Sequence, residues 1–594
     1  MAEGGPLFGV TRSLGGKAWA LKPADDAVAG AIARAAGCSD ALARLLAARG
    51  ITVDTAPGFL APKLRDSFPD PSSFLGMDAC ASLIWDAIET GDRLALFADY
   101  DVDGATSAAQ LYRWLDALGA PPLIYVPDRI EEGYGPNAAA FESLKAQGAG
   151  LVLTLDCGAA SVAPLAAARS MGLTVAVVDH HLMSGEAPEA AALVNPNQPG
   201  CGSGCGHLAA AGVTFVLLAA LNREGRRRGA FKARPEPDLM ALADLAALGT
   251  ICDVVPLTGI NRAIVSTGLK VMSSWANPGL AALAEVAGVT GAATPYHAGF
   301  LLGPRINAGG RVGRADLGAR LLTTADRAEA RRIAEELDQL NAERREIEAA
   351  VLDGATAQIE AAGVAEDTPI LIAAGEHWHP GVIGIAAGRI KERFNRPSIV
   401  IGIDPETGVA KGSGRSCAGV DLGTAVAEAR EAGLLIAGGG HAMACGLTVA
   451  ADRIDELRDW LTNRLAAAWT AAEEARTFSL DAVVHPAAVD FEFCDALSAA
   501  APFGAGNPEP RFAFSDLRRT YAQRVGADHV RFTFEARSGA KLNGIAFRCA
   551  DAPMGQALLA PGEAVFHAAG KLKADDSRFG KRAELHLEDL AEAG

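Results

Sequence analysis

The stretch RLALFADYDVDGATSAAQLYRWL, residues 93–115, decides the fold of the first half of the chain. A short apolar run leads into an acidic loop with Asp99, Asp101 and Asp103, and an Ala-rich run with helical periodicity follows. A strand, a loop and a helix in this order are typical of an α/β domain with a mainly parallel sheet.

Two later segments also end an apolar strand with polar side chains. LVLTLDCG places Asp156 after the strand, and LTVAVVDHH places the triplet Asp179-His180-His181 there. Ligands of open parallel sheets collect beyond the carboxyl ends of the strands, so these side chains are predicted to lie together with the acidic loop.

So many carboxylates in a small volume repel one another and need a counter-charge. A mixed set of Asp and His without thiolates suits Mn²⁺ or Mg²⁺ better than structural zinc. Asp253 in ALADLAALGTICDVVPL, just past an apolar helix, is a further candidate ligand. The alternative is an EF-hand calcium loop, but its twelfth position must be Glu, and counting from Asp99 gives Gln110.

The composition limits the class of protein. A chain of 594 residues is long enough for several domains. A net charge of −17 argues against nucleic-acid binding on charge alone, although a local basic groove is compatible with it. We find neither a signal peptide nor a transmembrane segment in the sequence, which predicts a cytoplasmic protein without a membrane partner.

The ten cysteines are expected to be reduced thiols in that compartment. The alternative is zinc binding by CGSGCGH (201–207), which offers three ligands in one loop and no second pair.

The pattern of the chain predicts five parts. Residues 1–75 form a helical, polar leader, and alternating strands and helices fill residues 76–323. A single long helix is expected over 324–363, where apolar residues recur at helical spacing. A second α/β domain over 364–470 and a strand-rich β-barrel over 476–594 complete the chain.

The motifs DYDVDG, LDCG, VDHH and CDVVP, in this order, resemble those of the DHH phosphoesterase superfamily. YVPDRIEEGYGPN (125–137), GPRINAGGRVG (303–313) and FGAGNPEP (503–510) resemble one family within it, the RecJ single-strand-specific 5′→3′ exonucleases. The resemblance implies a DHH parallel-sheet domain, a long bridging helix, a DHHA1-type α/β domain and a C-terminal OB-fold β-barrel.

The resemblance also implies the residues of the metal centre. Two Mn²⁺ or Mg²⁺ ions would be bound by Asp101, Asp103, Asp156, His180 and Asp253, with Asp99 as a further ligand. These five ligands and His181 are the predicted catalytic residues, with His181 close to the substrate phosphate. Asp179 would orient the histidines from behind. Relatives that act on small substrates often carry His where this chain has Phe97, and Asp99 is the candidate replacement.

Substrate contacts are predicted in Gly-rich segments, because guanidinium groups and exposed backbone N–H groups bind phosphate. In the first domain these contacts are Arg129 together with Arg305 and Asn307 of GPRINAGGRVG, a segment that also suits a simple turn. In the second, the resemblance implies a pocket for the 5′-terminal nucleotide. It would contain His379 at a loop-to-helix step, Ser413 and Arg415 in a Gly-rich turn, and His441 just before a helix.

The predicted barrel carries basic residues that suit a single-strand groove. They are Arg531, Lys541, Arg548, Lys571, Lys573, Arg578, Lys581 and Arg582. Phe532 and Phe534 share a strand face opposite Arg531, which predicts core packing for both rings. The basic run 223–235 is predicted to be a solvated loop.

The resemblance implies an exonuclease that degrades single-stranded DNA to 5′-mononucleotides in recombination and repair, with a single-strand-binding protein and a helicase as partners. Two alternatives stay open. One is a phosphodiesterase for short oligonucleotides or cyclic dinucleotides, which needs no OB-fold. The other is a non-catalytic DNA-binding scaffold on a decayed DHH fold, although the acids and histidines are all retained.

Overall fold

A computed structural model of the chain describes residues 5–129, 131–183, 185–365, 367–577 and 580–593, with only the backbone of 575–577 and 580. The chain forms two compact units. The larger is Ser67–Glu474, and the smaller combines the chain before residue 67 with the chain after residue 474. Among the described residues, no helix combines the length and the apolar character needed to cross a membrane.

The N-terminal segment has one strand and four short helices. They are β1 (Ala18–Leu21), α1 (Asp26–Ala36), α2 (Asp40–Ala48), α3 (Ala56–Leu60) and α4 (Leu64–Ser67). Asp25 and Ser39 cap α1 and α2, because their side-chain oxygens accept hydrogen bonds from the first amides of each helix.

The first domain of the larger unit is a five-stranded sheet with helices on both faces. Its elements are α5 (Met77–Thr90), β2 (Arg93–Ala98), α6 (Val102–Ala117), β3 (Leu123–Tyr125), α7 (Ala138–Ala146), β4 (Ala149–Leu155), α8 (Val162–Ser170), β5 (Thr174–Val178), β6 (Ala192–Val194), α9 (Ala210–Arg228), α10 (Ala243–Cys252), α11 (Gly259–Met272), α12 (Pro278–Val286), α13 (Gly303–Val312) and α14 (Leu317–Thr323). The strand order is β3-β2-β4-β5-β6, and every pair is parallel. The apolar strands are buried on both faces, which accounts for their unbroken hydrophobic runs.

The long helix α15 (Arg327–Ala362) joins this domain to the next, as predicted. Its 36 residues extend about 54 Å. It packs against α12, α13 and α14 of the first domain and continues into the second. Asp326 caps its first turn by accepting a hydrogen bond from the Ala328 amide.

The second domain of the larger unit is a mixed five-stranded sheet in the order β10-β11-β9-β8-β7. Its elements are β7 (Leu371–Glu376), α16 (Pro380–Phe394), β8 (Ser398–Ile403), β9 (Val409–Arg415), α17 (Leu422–Glu431), β10 (Ala437–His441), β11 (Ala444–Ala450) and α18 (Ile454–Glu474). Two local predictions were wrong. Ser413 and Arg415 lie on strand β9 and not in a turn, and His441 ends a strand that turns into β11 and not into a helix.

The C-terminal part of the smaller unit contains a closed barrel of five strands, β14 to β18, preceded by two short strands. Its elements are β12 (Thr477–Leu480), β13 (Ala482–Val483), α19 (Phe491–Ser498), β14 (Phe512–Val525), β15 (His529–Glu535), β16 (Lys541–Ala546), α20 (Pro553–Leu559), β17 (Val565–Ser577) and β18 (Gly580–Glu592). The order β14-β15-β16-β18-β17 closes because β17 also pairs with β14. Phe532 and Phe534 are buried in its core, as predicted, and Arg531 is exposed.

The N-terminal segment belongs to the same core as the barrel. Strand β1 pairs in parallel with β12, and Leu42, Leu45 and Leu46 of α2 share one hydrophobic cluster with the barrel phenylalanines. The Trp19 ring nitrogen donates to the buried carboxylate of Asp589 at 2.9 Å. The residues before 67 therefore complete the barrel domain rather than form a separate structure.

Candidate metal centre and substrate cleft

The carboxyl ends of β2, β4 and β5 bring the predicted metal ligands together. Three groups of side chains have ligand atoms that all lie within 4.8 Å of one another. They are Asp99 with Asp101 and Asp156, Asp103 with His180 and Asp253, and Asp156 with His180 and His181. The His180 Nε2 atom lies 3.2 Å from Asp156 Oδ1, 3.7 Å from Asp253 Oδ2 and 3.8 Å from Asp103 Oδ2. Motifs that are distant in sequence therefore meet at one edge of the sheet.

Backbone amides hold two of the three aspartates of the acidic loop. Asp101 caps α6, and its Oδ1 atom accepts hydrogen bonds from the amides of Asp103 and Gly104 at 2.8 and 3.1 Å. The buried Asp103 carboxylate accepts from the amides of Ala210 and Ala211 at 2.7 and 2.9 Å, at the positive end of the α9 dipole. Gly104 is required, because a Cβ atom there would lie 2.4 Å from the Asp99 carbonyl oxygen.

Asp179 fixes the two histidines, in agreement with its predicted supporting role. Its carboxylate accepts from the amides of His180 and His181 at 2.7 and 3.2 Å, and lies 2.7 Å from His181 Nδ1. These hydrogen bonds outweigh burial and hold the pKa of Asp179 below its usual range. Burial lowers the pKa of His181, but the hydrogen bond to Asp179 and the negative charges of Asp179, Asp253 and Asp99 together raise it.

Burial and mutual repulsion raise the pKa of most acids in the centre. Burial is the largest cause for Asp103 and Asp156, and the neighbouring carboxylates add to it. The same causes raise the pKa of Asp99 to about 8 and that of Asp253 to about 7. Burial lowers the pKa of His180 to about 4, so its ring is neutral near pH 7 and can ligate a metal.

Unpaired buried atoms indicate that this set of residues fits divalent cations. Asp99 Oδ1, Asp156 Oδ1 and His180 Nε2 are buried and have no hydrogen-bond partner among the described residues. Buried polar atoms without a partner are costly, and a cation bound between them would remove that cost. Oxygen-rich ligands with imidazole are the type of set that Mn²⁺ and Mg²⁺ accept.

Asp99 faces the acidic centre, whereas Phe97 does not. The Phe97 ring is fully buried and stacks on Tyr125 at 5.4 Å, so it belongs to the core behind the centre. Asp99 instead groups with Asp101 and Asp156. This arrangement agrees with Asp99 as the candidate replacement ligand.

Sequence reasoning missed several residues that support the centre. The Tyr134 hydroxyl donates to the Asp156 carbonyl oxygen at 3.1 Å and lies 3.4 Å from His181 Nδ1. The Asn195 and Asn197 side chains donate to the carbonyl oxygens of the two histidines. The segment around Tyr134 was singled out for its Arg and glycines, and the asparagines carried no signal beyond following a strand.

Three arginines from the two domains of the larger unit lie close enough for their charges to interact, and we call this group the arginine cleft. The Arg129 guanidinium lies over the Tyr100 ring at 5.2 Å, and Arg311 donates to the Gly381 carbonyl oxygen at the start of α16. Burial, together with the charges of Arg129 and Arg344, lowers the pKa of Arg311 to about 10. Burial also lowers the pKa of Arg415, and Arg129 again contributes. These positive charges repel one another and would be relieved by an anion.

The sheet of the second domain has an uncovered glycine surface beside Arg415. Ser413 lies in register with Gly446 and Gly439, and a Cβ atom at either glycine would meet nothing within 4 Å. His441 lies in register with Ala444, which in turn pairs with Arg415, so His441 and Arg415 share one level of the sheet. Missing side chains leave room for a substrate to approach the backbone closely.

His379, Arg305 and Asn307 have structural partners. His379 caps α16 by accepting from the Gly381 amide at 3.1 Å. Arg305 is buried and donates to Asp338 of α15 at 2.8 Å, and Asn307 accepts from the Val102 amide in the acidic loop at 3.1 Å. GPRINAGGRVG is helix α13 and not a turn. Substrate contact by these three side chains stays a prediction.

The remaining basic and cysteine-rich segments form local contacts of their own. The run 223–235 is largely helical, and Arg223 and Arg228 form salt bridges, so the prediction of a loop was wrong. In the CGSGCGH loop, the Cys201 thiol donates to Ser203 Oγ at 3.3 Å. None of the metal-ligating groups found among the described residues includes a cysteine.

On the barrel, salt bridges neutralise part of the predicted groove. Lys571 and Lys573 both contact Glu509. Arg578 lies outside the described residues. Arg531, Lys541, Arg548, Lys581 and Arg582 are exposed. Phe547 is 46% exposed between the rings of His529 and His586, which makes it the ring of the predicted groove that is open to a base.

Comparison with known families agrees with this architecture domain by domain. Residues 93–250 match the DHH family N-terminal domain, 367–467 the DHHA1 domain and 480–589 the RecJ OB domain. Fold and site together define a multidomain protein of the DHH class, with its Asp/His centre at the strand ends of the first sheet.

The relatives specify the family. The chain is 36% identical to the single-stranded-DNA-specific exonuclease RecJ of Bacillus subtilis over 554 residues, 93% of this chain and 68% of that protein. It is 38% identical to the same exonuclease of Escherichia coli over 493 residues, 80% of this chain and 83% of that protein. The chain belongs to the RecJ family.

A solved structure of the family has the same fold. The crystal structure of RecJ from Thermus thermophilus in complex with Mn²⁺ superposes with a TM-score of 0.76 at 30% identity, covering 96% of this chain and 78% of that one. A Mg²⁺ complex of RecJ from the same organism gives a TM-score of 0.73. The predicted fold class is confirmed.

Proposed function

We propose that this chain is a metal-dependent exonuclease that hydrolyses single-stranded DNA from the 5′ end and releases 5′-mononucleotides. The observation that carries the proposal is the juxtaposition of an acidic centre with unpaired ligand atoms and a cleft of mutually repelling arginines. A phosphodiester with its divalent cations has the charges that both regions require.

The metal centre would be formed by Asp99, Asp101, Asp103, Asp156, His180 and Asp253, and Mn²⁺ or Mg²⁺ would be held there as two ions. When bound, such ions polarise the phosphodiester and supply a nucleophilic water at neutral pH. The protein's own contribution is to fix its ligands before substrate arrives, through the amides that hold Asp101, Asp103 and Asp179. Preorganised groups of this kind need little rearrangement during the reaction.

His181 is the side chain that would face the substrate phosphate. Its ring is partly exposed, and Asp179 holds its Nδ1 atom and keeps the pKa of the ring raised. An imidazole held in this way can donate a hydrogen bond to a phosphate oxygen from Nε2. Tyr134, within 3.5 Å of that ring, limits how the ring can rotate.

The arginine cleft would hold the 5′-terminal phosphate and so set the polarity. Arg129 and Arg415 offer planar forks that match phosphate oxygens. Ser413 and the uncovered glycine surface beside it would bind the terminal nucleotide. His441 lies at the same level of the sheet as Arg415. His379, Arg305 and Asn307 would act in the same region.

The barrel would bind the rest of the strand. Exposed Arg531 and Arg548 with the open Phe547 ring combine charge for the backbone with a surface on which a base can stack. This feature favours long single strands over the short or cyclic substrates of the alternative phosphodiesterase. Recombination and repair in the cytoplasm, with a single-strand-binding protein and a helicase as partners, are the setting we infer from the family.

The test uses oligonucleotides labelled at either end, incubated with Mn²⁺. We expect a 5′-labelled single strand to release labelled mononucleotide at once, while the 3′ label stays on progressively shorter fragments. Equal attack from both ends, or a preference for duplex, would contradict the proposal.

The double variant Asp101→Ala/Asp103→Ala should lose cleavage and keep strand binding. If it cleaves as fast as the parent, the centre is not the active site.

A further inference from the structure

Two large aromatic rings lie exposed side by side on the first domain of the larger unit. Tyr296 and Phe300 are 60% and 70% exposed, and their rings stack with centroids 5.4 Å apart and planes 21° from parallel. An exposed Phe side chain loses the free energy that burial would provide, so a flat partner that covers the pair would bind favourably. Neither ring contributes to the metal centre or to the arginine cleft.

The pair lies on a segment that packs against Cys252, the residue before the candidate ligand Asp253. It spans the π-helical turn His297–Leu302, which runs without a break into α13. The Cys252 thiol, next to Asp253 in sequence, donates to the Ala298 carbonyl oxygen at 3.6 Å. A Cβ atom at Gly303 would lie 2.6 Å from that sulfur, so the two segments are in close contact.

The same helix reaches the acidic loop at its other end. Asn307 accepts from the Val102 amide, and seven residues separate it from Phe300, about 10 Å along a helix axis. Two further exposed apolar side chains directly follow site residues: Leu182 after His181 at 73% exposure, and Val254 after Asp253 at 69%. Exposed apolar side chains therefore also occur directly beside residues of the charged centre in the sequence.

We infer that Tyr296 and Phe300 form a stacking platform for nucleobases of the single strand, a few nucleotides from the scissile phosphate. The inference rests on the proposed function and adds a base-binding site to it. Flat, nearly parallel rings accept any base, and each stacked base strengthens binding. Bases that are paired in a duplex are not available for such stacking, so the platform selects single strands.

The test compares a strand that carries bases with an abasic phosphodeoxyribose strand of the same length. Binding is measured by fluorescence anisotropy in the Asp103→Ala background, where the strand is not cleaved. The added double substitution Tyr296→Ala/Phe300→Ala should weaken binding of the base-bearing strand about 10-fold or more. Binding of the abasic strand should change by less than about 2-fold, because only phosphate contacts hold it.

Two further variants complete the design. Met240→Ala, which removes an exposed apolar side chain elsewhere in the same unit, should affect neither strand. Phe300→Trp should keep the preference for the base-bearing strand. That result would show that the weaker binding of the double variant does not come from misfolding. An equal loss for both strands, or no loss for either, would overturn the platform. Failure of the parent chain to cleave any labelled strand would instead overturn the proposed function, so the two failures are distinguishable.

Discussion

The metal centre and the arginine cleft of the larger unit are charged oppositely and are built differently. The centre collects aspartates at neighbouring strand ends, and backbone amides hold them close despite their repulsion. The cleft collects Arg129, Arg311 and Arg415 from segments far apart in sequence and on two domains. Each region leaves charge uncompensated, and the proposed function accounts for both: metal ions would neutralise the centre, and phosphate would neutralise the arginine cleft.

The largest effect is expected from removing one charge of the metal centre. Asp156→Asn keeps the shape of the side chain but removes a carboxylate that belongs to two of the three ligand groups. We expect kcat to fall by about 10³-fold, because bound metal contributes several kcal/mol to transition-state stabilisation. Steady-state cleavage of a 5′-labelled strand measures this. A kcat within about 2-fold of the parent at saturating Mn²⁺ would show that the centre and the cleft do not cooperate in catalysis.

A smaller effect is expected from the residue that orients the histidines. Asp179→Asn removes the charge that holds His181 Nδ1 but leaves an acceptor for the amides. Supporting residues of metal sites typically contribute roughly 10- to 100-fold in affinity or activity. We expect kcat/KM to fall by about 10- to 100-fold, with an unchanged circular dichroism spectrum. An Asn197→Ala substitution, which removes the donor to the His180 carbonyl oxygen without changing the charge, separates loss of charge from loss of position.

The cleft should respond in KM rather than in kcat. Arg415→Ala removes one guanidinium and leaves two, and a hydrogen bond to a charged group contributes about 1.5 kcal/mol at the lower end. We expect KM for strands with a 5′ phosphate to rise about 10-fold, and KM for strands with a 5′ hydroxyl to change less. Arg415→Lys should restore only part of the difference, because an ammonium group lacks the planar fork. Equal changes for both kinds of strand would remove this arginine from the 5′ pocket.

The smallest effect concerns stability and not substrate. Asp338→Ala leaves the buried Arg305 without its partner on α15. Truncating the acceptor of a charged, buried donor costs about 1–3 kcal/mol, so the thermal midpoint should fall measurably. Differential scanning fluorimetry detects this, and Asp353→Ala on the same helix serves as the exposed control. If the midpoint does not move, Arg305 is available for the substrate contact that the sequence predicted.

The sequence predicted well which side chains gather at the edge of the first sheet, because their position depends on local order. An apolar strand followed by polar residues fixes which side chains stand at the sheet edge, and β2, β4 and β5 proved to be neighbours. The same logic anticipated Asp253 after α10 and the supporting role of Asp179. The long helix was also evident, since its apolar spacing continues over 36 residues.

The substrate cleft was anticipated less well, because glycine-rich segments have no unique local structure. Ser413 and Arg415 proved to be on a strand, His441 on a hairpin, and Arg305 on a helix. Glycine permits many backbone conformations, so the surrounding sheet decides among them. The pairing of Arg305 with Asp338 likewise joins elements that only the packing of α13 on α15 brings together.

By itself, the sequence determined the order of the domains, the sheet that carries the centre and the identity of the acids and imidazoles at its edge. These depend on hydrophobic periodicity and on residues next to strand ends, which are local properties. Only the tertiary structure decided that the N-terminal segment completes the barrel, that three separated arginines converge, and that Tyr296 and Phe300 stand exposed on a segment packed against Cys252. Burial and long-range proximity are properties of the packed chain, and no short stretch of sequence contains them.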